Sequence, residues 1–349
     1  MQPEKSTTTL ETMLDYHGFS TEKYDWNPYG LNETNHLRKI VQAISLYLVP
    51  TIGCLGIVGN ICCFIVFLFT SFKYLPMTLY LVALAISDTG FLAAVMIGWL
   101  TSLHPVIALS PGCCHVMVYI TYVCGFLSAW YIVLMMVERY IVVCHPLRAP
   151  RICTKRRGRL AVGLTTAFAL VLYIHSFLST YVEVTPYAYC SSKSTYLQFN
   201  AVFTYIDSLL TFVVPFTAIF ILNIRIILAV RHFRKKHHPI HDFCLHHSEP
   251  GVLTRAQVRT TKMLVLVSTV FVVLYLPSHA YRIYLLVFGL VSKTKMYDFE
   301  YDQNQLLAQH ICQLPYYLNF AVDFLVYSLT SIAFRRNVVK LFRRICDDD

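Results

Sequence analysis

The sequence predicts an all-α membrane protein, a seven-transmembrane helix bundle with a short amphipathic eighth helix, and three observations carry that reading. Of 349 residues, 56% are hydrophobic and 14% charged, with a mean hydropathy of +0.54. A soluble chain must cover itself with more polar surface than that. Seven apolar stretches, at about 41–70, 76–103, 112–144, 158–181, 200–231, 262–289 and 305–331, can each cross a hydrocarbon core of ~30 Å at about 1.5 Å per residue. The formal net charge is +10, and 21 of the 29 Lys and Arg residues fall on one face of such a bundle. That bias is the positive-inside pattern, so the charge orients the chain and does not argue for nucleic acid. With an odd number of spans it puts the N terminus outside and the C terminus in the cytoplasm of a multi-pass plasma-membrane protein. The chain then divides into an extracellular arm (1–40), the bundle (41–331) and an eighth helix with a short tail (332–349).

The arm is polar and holds one N-glycosylation acceptor pattern, Asn32-Glu33-Thr34. No charged segment leads into a short apolar run, so the first span is expected to act as its own insertion signal. In that span Asn60 follows Gly59, and a lone amide in lipid needs a hydrogen-bond partner. Asp88 puts a carboxyl group near the middle of the second span, a position that is either functional or a hydrogen-bonded core acid.

The third span closes with WYIVLMMVERYIVVCHPL, where Glu138 and Arg139 stand side by side before Pro146. An unpaired Arg at membrane depth costs ~2.5 kcal/mol or more, so Arg139 should face protein and find a partner. Glu138 is the nearest, with the Tyr140 phenol beside it; a snorkelling interfacial pair is the plainer alternative. In the fourth span, His175 reads as a bonded bundle histidine. The segment 182–199, with Tyr187, Tyr189 and Tyr196, is compatible with a β-hairpin. Pro215 should kink the fifth span, and Pro277 gives the sixth a hinge.

Between those spans, His237, His238, His241, Cys244, His246 and His247 cluster, but their spacing matches no zinc pattern and the segment reads as a loop. Arg255, Arg259 and Lys262 share one face where the sixth span opens. After the seventh span, Phe334, Val338, Val339, Leu341 and Phe342 alternate with basic residues as an interfacial helix does, and Cys346 is placed for palmitoylation.

Glu138-Arg139-Tyr140 with Cys144, His145 and Pro146, taken together with Asn60, Asp88, Cys114, Pro215 and Pro277, resembles the rhodopsin-like (class A) G-protein-coupled receptors over about residues 41–345. That resemblance implies a disulfide from Cys114, at the outer end of the third helix, to Cys190 in the second outer loop, with Cys113 as a competing partner. Closing that loop contributes ~4 kcal/mol in the chain-entropy model. It implies a mid-membrane sodium or proton pocket of Asp88, Ser128, Asn319 and Asp323, and no other cofactor. It also implies a switch of Glu138, Arg139, Tyr140, Tyr275, Pro277 and Tyr327.

The chain departs from the family in four places. The fourth helix lacks its tryptophan, Asn223 stands for the fifth-helix Tyr, Tyr275 for the toggle Trp, and Phe324 for the seventh-helix Pro. The variants at Asn223 (LNIRI) and Phe324 (DFLVY) resemble invertebrate neuropeptide receptors of the FMRFamide, myosuppressin or thyrotropin-releasing-hormone-like kind.

By family spacing, the ligand-facing residues are Thr121, Tyr122, Asp207, His279, Arg282, Gln309, Gln313 and Tyr317. Thr121 occupies the place of the amine receptors' Asp, and Tyr317 that of the visual pigments' Lys, which argues against monoamines and retinal. The resemblance therefore implies a receptor for a short extracellular peptide. It would signal to a heterotrimeric G protein by outward swing of the sixth helix, with membrane lipid as a further partner. Arg282 either pairs with Asp207 or takes a ligand acceptor. A class A receptor for a non-peptide chemosensory ligand is the second reading. No enzyme motif is present, and a transporter lacks support because no broken-helix pattern repeats in the two halves.

Overall fold

The computed structural model describes residues 43–103, 112–183, 189–236, 255–291 and 303–347. The chain is a helical bundle. After a wide turn at Ile44–Leu48, α1 runs Val49–Phe69, α2 Thr78–Leu103, α3 Cys113–Cys144 and α4 Lys155–Leu172. The fifth helix, α5, is built of Leu197–Ser208, Leu209–Val213 and Val214–Lys236; α6 spans Arg255–Val291. The seventh, α7, has a first half Gln303–Asn319 and a second half Asp323–Thr330, and α8 is Ile332–Asp347. Asn32 and the histidine-rich segment lie outside the described residues.

Among the described residues six helices are long and apolar enough to cross a membrane. α7 is the seventh span, divided by three non-helical residues so that neither half reaches that length. The centre of the bundle is α3, 67% buried along its most apolar stretch, against 17% for α4, which is therefore peripheral.

Each irregularity has a local cause. Pro215 cannot donate to the carbonyl of Thr211, and the chain widens into a π turn, Leu209–Val213, just ahead of it. The extra residue rotates the outer half of α5 and turns Asp207 into the bundle, where it is 6% exposed.

The continuous seventh span expected over 305–331 is broken. The amides of Phe320 and Ala321 reach back only three residues, to Tyr317 (3.2 Å) and Leu318 (3.0 Å). The freed carbonyl of Phe320 accepts a hydrogen bond from Asn60 Nδ2 at 2.7 Å, which is the partner that the lone amide of α1 required. Phe324 takes the place of a proline without closing the break. Gly56 and Gly59 let α1 come close enough: a Cβ at Gly56 would lie 2.6 Å from Ala321 Cβ, and one at Gly59 3.0 Å from Phe324 Cβ.

The fourth span also differs from expectation. α4 ends at Leu172 and not near 181; the chain then makes a helical turn at Ser176–Ser179 and enters a strand. The apolar run continues through this corner, so hydropathy alone carries no stop signal. The expected hairpin is present, β1 (Thr180–Glu183) against β2 (Tyr189–Ser192), antiparallel with Val182 opposite Cys190. The disulfide Cys114–Cys190 ties it to the first turn of α3, and Cys113 stays free. At the other end, Phe334 anchors α8 among Phe67, Phe324 and Tyr327, with ring centroids 5.6, 5.9 and 5.7 Å away. Cys346 falls in the last turn of α8.

Gly56→Val should therefore force α1 away from α7. The expected cost is about 1–3 kcal/mol of overpacking, read as a lower thermal midpoint of the solubilised receptor. An unchanged midpoint would show that the close approach is not needed.

Candidate functional site

Beneath the hairpin lies a cavity of about 190 Å³ between α3, α5, α6 and α7, walled by Tyr122, His175, Asp207, Arg282, Gln309 and Gln313 among others. A smaller chamber of about 30 Å³ continues inward, lined by Thr121, Tyr122, Asp207, His279, Arg282 and Tyr316. Asp207 and Arg282 border both spaces, so their ion pair sits at the neck. Arg282 Nη1 lies 3.4 Å from Asp207 Oδ2, while the Tyr173 hydroxyl donates to Asp207 Oδ1 at 2.6 Å. The Asp207 side chain is 7% exposed and that of Arg282 29%, so the rest of the guanidinium faces the cavity. The two alternatives for Arg282 are therefore compatible: it is paired and still reachable.

Tyr173, at the end of α4, went unnoticed in the sequence because the helix was expected to run past it. It is fully buried, and its ring stacks on Tyr122 at 5.4 Å and 13°. Gln313 accepts from Ser278 Oγ at 3.0 Å, whereas Gln309 Oε1 has no partner among the described residues. His175 bonds the Leu172 carbonyl (3.2 Å), as a bundle histidine would, but it also lines the cavity and packs on Phe203 at 3.8 Å.

Tyr317 packs toward Phe91 of α2 at 6.3 Å, and its neighbour Tyr316 lines the smaller chamber.

A column of rings leads inward from the chamber. His279 stacks on Phe212 (4.8 Å, 5°) and on Tyr275 (4.8 Å, 15°), and Tyr275 reaches Phe271 at 4.4 Å. Tyr275 fills the toggle position as a donor, its hydroxyl 3.3 Å from the Gly125 carbonyl of α3. Further in, Ser268 of α6 donates to Asn223 Oδ1 of α5 at 3.0 Å, giving that substituted amide a partner.

Asp88, Ser128, Asn319 and Asp323 are all buried, and the two carboxyl groups are near enough to feel each other's charge. Tyr327 donates to Asp323 at 3.3 Å, but Asp88 Oδ1 and Ser128 Oγ are left without a partner among the described residues. Unsatisfied hard oxygens beside two acids suit a small cation such as Na⁺. Among the described residues no group of three His, Cys, Asp or Glu side chains could hold another metal.

At the inner end of α3, Arg139 donates to Glu138 at 2.9 Å, both side chains nearly buried. Tyr140 lies 3.4 Å from His145 Nε2. Cys153 of the adjoining loop donates weakly to the Glu138 carbonyl (3.9 Å), and burial raises its thiol pKa, which keeps it a donor.

The profile of the 7 transmembrane receptor (rhodopsin family) matches residues 59–327. The chain belongs to that family. Similar proteins within it include the thyrotropin-releasing hormone receptor of Gallus gallus, 27% identical, with 88% of this chain and 79% of that receptor aligned. Neuromedin-U receptor 2 of Homo sapiens is 24% identical over 96% of this chain and 80% of its own length. An olfactory receptor of Homo sapiens aligns with only 50% of the chain, at 25% identity. This rhodopsin-family receptor is thus a G-protein-coupled receptor and no enzyme.

Removing one member of the neck pair strands a buried charge, whereas removing both does not. Arg282→Ala should lower the thermal midpoint more than Arg282→Ala combined with Asp207→Asn, by roughly 1–3 kcal/mol of stability. Equal losses would mean that Asp207 does not depend on Arg282.

Proposed function

We propose that the receptor lies in the plasma membrane with its N terminus outside, binds a short extracellular peptide with a neutral carboxamide end, and activates a heterotrimeric G protein. The observation that carries the ligand reading is the neck. The cavity's charges are Asp207 and Arg282, already paired, so the site offers a hydrogen-bonding guanidinium with little net charge. A carboxylate brought to Arg282 meets Asp207 as well; an amide carbonyl accepts from Arg282 without that repulsion, and its N–H can donate to Gln309. Relatives named for thyrotropin-releasing hormone and neuromedin U support a peptide messenger; the carboxamide end rests on the neck alone.

The mechanism is a population shift. A ligand engaging Arg282 loosens its hold on Asp207 and frees the outer part of α6, and the ring column carries the movement to Tyr275. Loss of the Tyr275–Gly125 and Ser268–Asn223 hydrogen bonds lets α6 swing about Pro277. Arg139 then leaves Glu138, and a groove opens for the C-terminal helix of a G-protein α subunit. Asp88, Ser128, Asn319 and Asp323 would hold a sodium ion, which offsets the charge of the two acids. Before the swing those residues keep the middle of the bundle polar and compact.

A screen of short amidated and free-acid peptides on cells expressing the full chain with a promiscuous G protein, read as calcium, tests the reading. Amidated peptides should act at nanomolar concentration and at least ~10-fold better than their acids. Asp207→Asn should narrow that gap. Silence across the panel, with the receptor on the surface, would move the assignment to a non-peptide chemosensory ligand. Separately, Asp88→Asn should abolish the effect of sodium on agonist binding; retained sensitivity would remove the ion from this pocket.

A further inference from the structure

His175 stands where α4 has stopped, and the way the helix ends decides which of the two ring nitrogens carries the proton. In a continuing helix the Leu172 carbonyl would accept from the amide of Ser176, but that amide turns back to Tyr173 at 3.0 Å. His175 Nδ1 meets the carbonyl instead, at 3.2 Å. A carbonyl has no proton to give, so Nδ1 is the donor. In the neutral ring Nε2 is then a bare lone pair. The ring packs on Phe203 of α5 at 3.8 Å and forms part of the cavity wall, and among the described residues no hydrogen bond reaches Nε2.

The neighbouring turns of α5 have spent their donors in the same way. Asn200 Nδ2 donates to the Ser192 hydroxyl of β2, so the amide's Oδ1 is the end left over. The Thr204 hydroxyl donates to the Asn200 carbonyl at 2.8 Å and keeps only its lone pairs. Both residues line the cavity, and with Asp207 they follow one face of α5 at spacings of four and three. The cavity is therefore polarised: the guanidinium of Arg282 offers donors on α6, while the wall of α4 and α5 offers three acceptors, His175 Nε2, Asn200 Oδ1 and Thr204 Oγ1.

We propose that this wall receives the protonated amino end of the peptide, whose ammonium donates to His175 Nε2, Asn200 Oδ1 and Thr204 Oγ1. This assignment rests on the peptide reading above and adds the chemistry of the ligand's other end. An ammonium carries three N–H donors and no acceptor, which matches the wall; a carboxylate would meet only lone pairs. The Phe203 ring, also in the wall, adds the attraction of its face for a cation.

The ring is read first, without ligand, by nitrogen-15 NMR of the full chain in micelles at about pH 8, where an imidazole is neutral. His175 is assigned by the signals lost in His175→Gln. Nδ1 should carry the proton and Nε2 none, and the opposite tautomer would overturn the proposal. The second arm compares an amidated peptide from the screen with its N-acetyl form, read as calcium. The free amine should act at about ten-fold lower concentration. His175→Phe, which keeps a ring against Phe203, should bring the two forms within about two-fold of each other, and so should Asn200→Leu with Thr204→Val. His175→Gln, whose carbonyl can still accept, should keep part of the gap. Equal potency of the two forms would overturn the ammonium site and leave the peptide reading standing. A gap that survives His175→Phe and closes in Asp207→Asn would overturn it too, by handing the ammonium to Asp207. Silence of every peptide would bring down both.

Discussion

A backbone group left unpaired inside hydrocarbon costs several kcal/mol, and this constraint shapes the bundle more than any single side chain does. Prolines at 215, 277 and 315 each remove a donor from a helix. The chain answers Pro215 with a wide turn just ahead of it, and where α7 breaks near Phe320, apart from any proline, a side-chain donor, Asn60, meets the freed carbonyl. Those repairs are also what orients the functional groups. The wide turn brings Asp207 inward, and the break near Phe320 brings Asp323 beside Asp88. Local frustration of the helix is thus converted into the polar interior of the receptor.

The buried charges follow a second rule: none of the three sets stands alone. Arg139 has Glu138, Arg282 has Asp207 with Tyr173 behind it, and Asp88 shares its pocket with Asp323 and Ser128. Each arrangement is only partly satisfied. Glu138 Oε2 and Arg139 Nε lack partners among the described residues, Arg282 contacts Asp207 through one long bond, and Asp88 Oδ1 is unpaired. Fully saturated networks would rigidify the bundle, whereas these leave donors and acceptors whose partners can change between two states of similar energy.

Much of this was legible in the sequence because membrane spans, charge bias and isolated polar residues are strong one-dimensional signals. Asn60, Asp88, Glu138 and Arg139 stand out in the sequence in this way, whereas the Cys114–Cys190 pair came from the family resemblance, which left Cys113 as a competitor. What was hidden depends on how helices end and rotate. The end of α4 at Leu172 lies inside an apolar run, so Tyr173 could not be seen as the support of Asp207. The tight turn in α7 lies among ordinary residues, Phe320 to Val322, so nothing in the sequence marks where the helix breaks or that Tyr316 lines the smaller chamber. His175 was read as structural, and the corner that follows α4 is what also exposes it to the cavity.

The departures from the family form one compensated set. A toggle that is Tyr275 and not Trp loses ring area but gains a hydroxyl, and that hydroxyl bonds the backbone of α3 at Gly125. Asn223 cannot reach as a phenol would, yet it takes a hydrogen bond from Ser268 and so ties α5 to α6. The inner turns of α6 carry Arg259 and Lys262, which cannot pair with Arg139. The neutral hydrogen bonds at Tyr275 and Ser268 are therefore among the contacts that hold the middle of α6, beside Ser278–Gln313 and Arg282–Asp207 further along it. Each of the neutral bonds contributes about 1 kcal/mol, small enough for the differential affinity of a modest ligand to overcome.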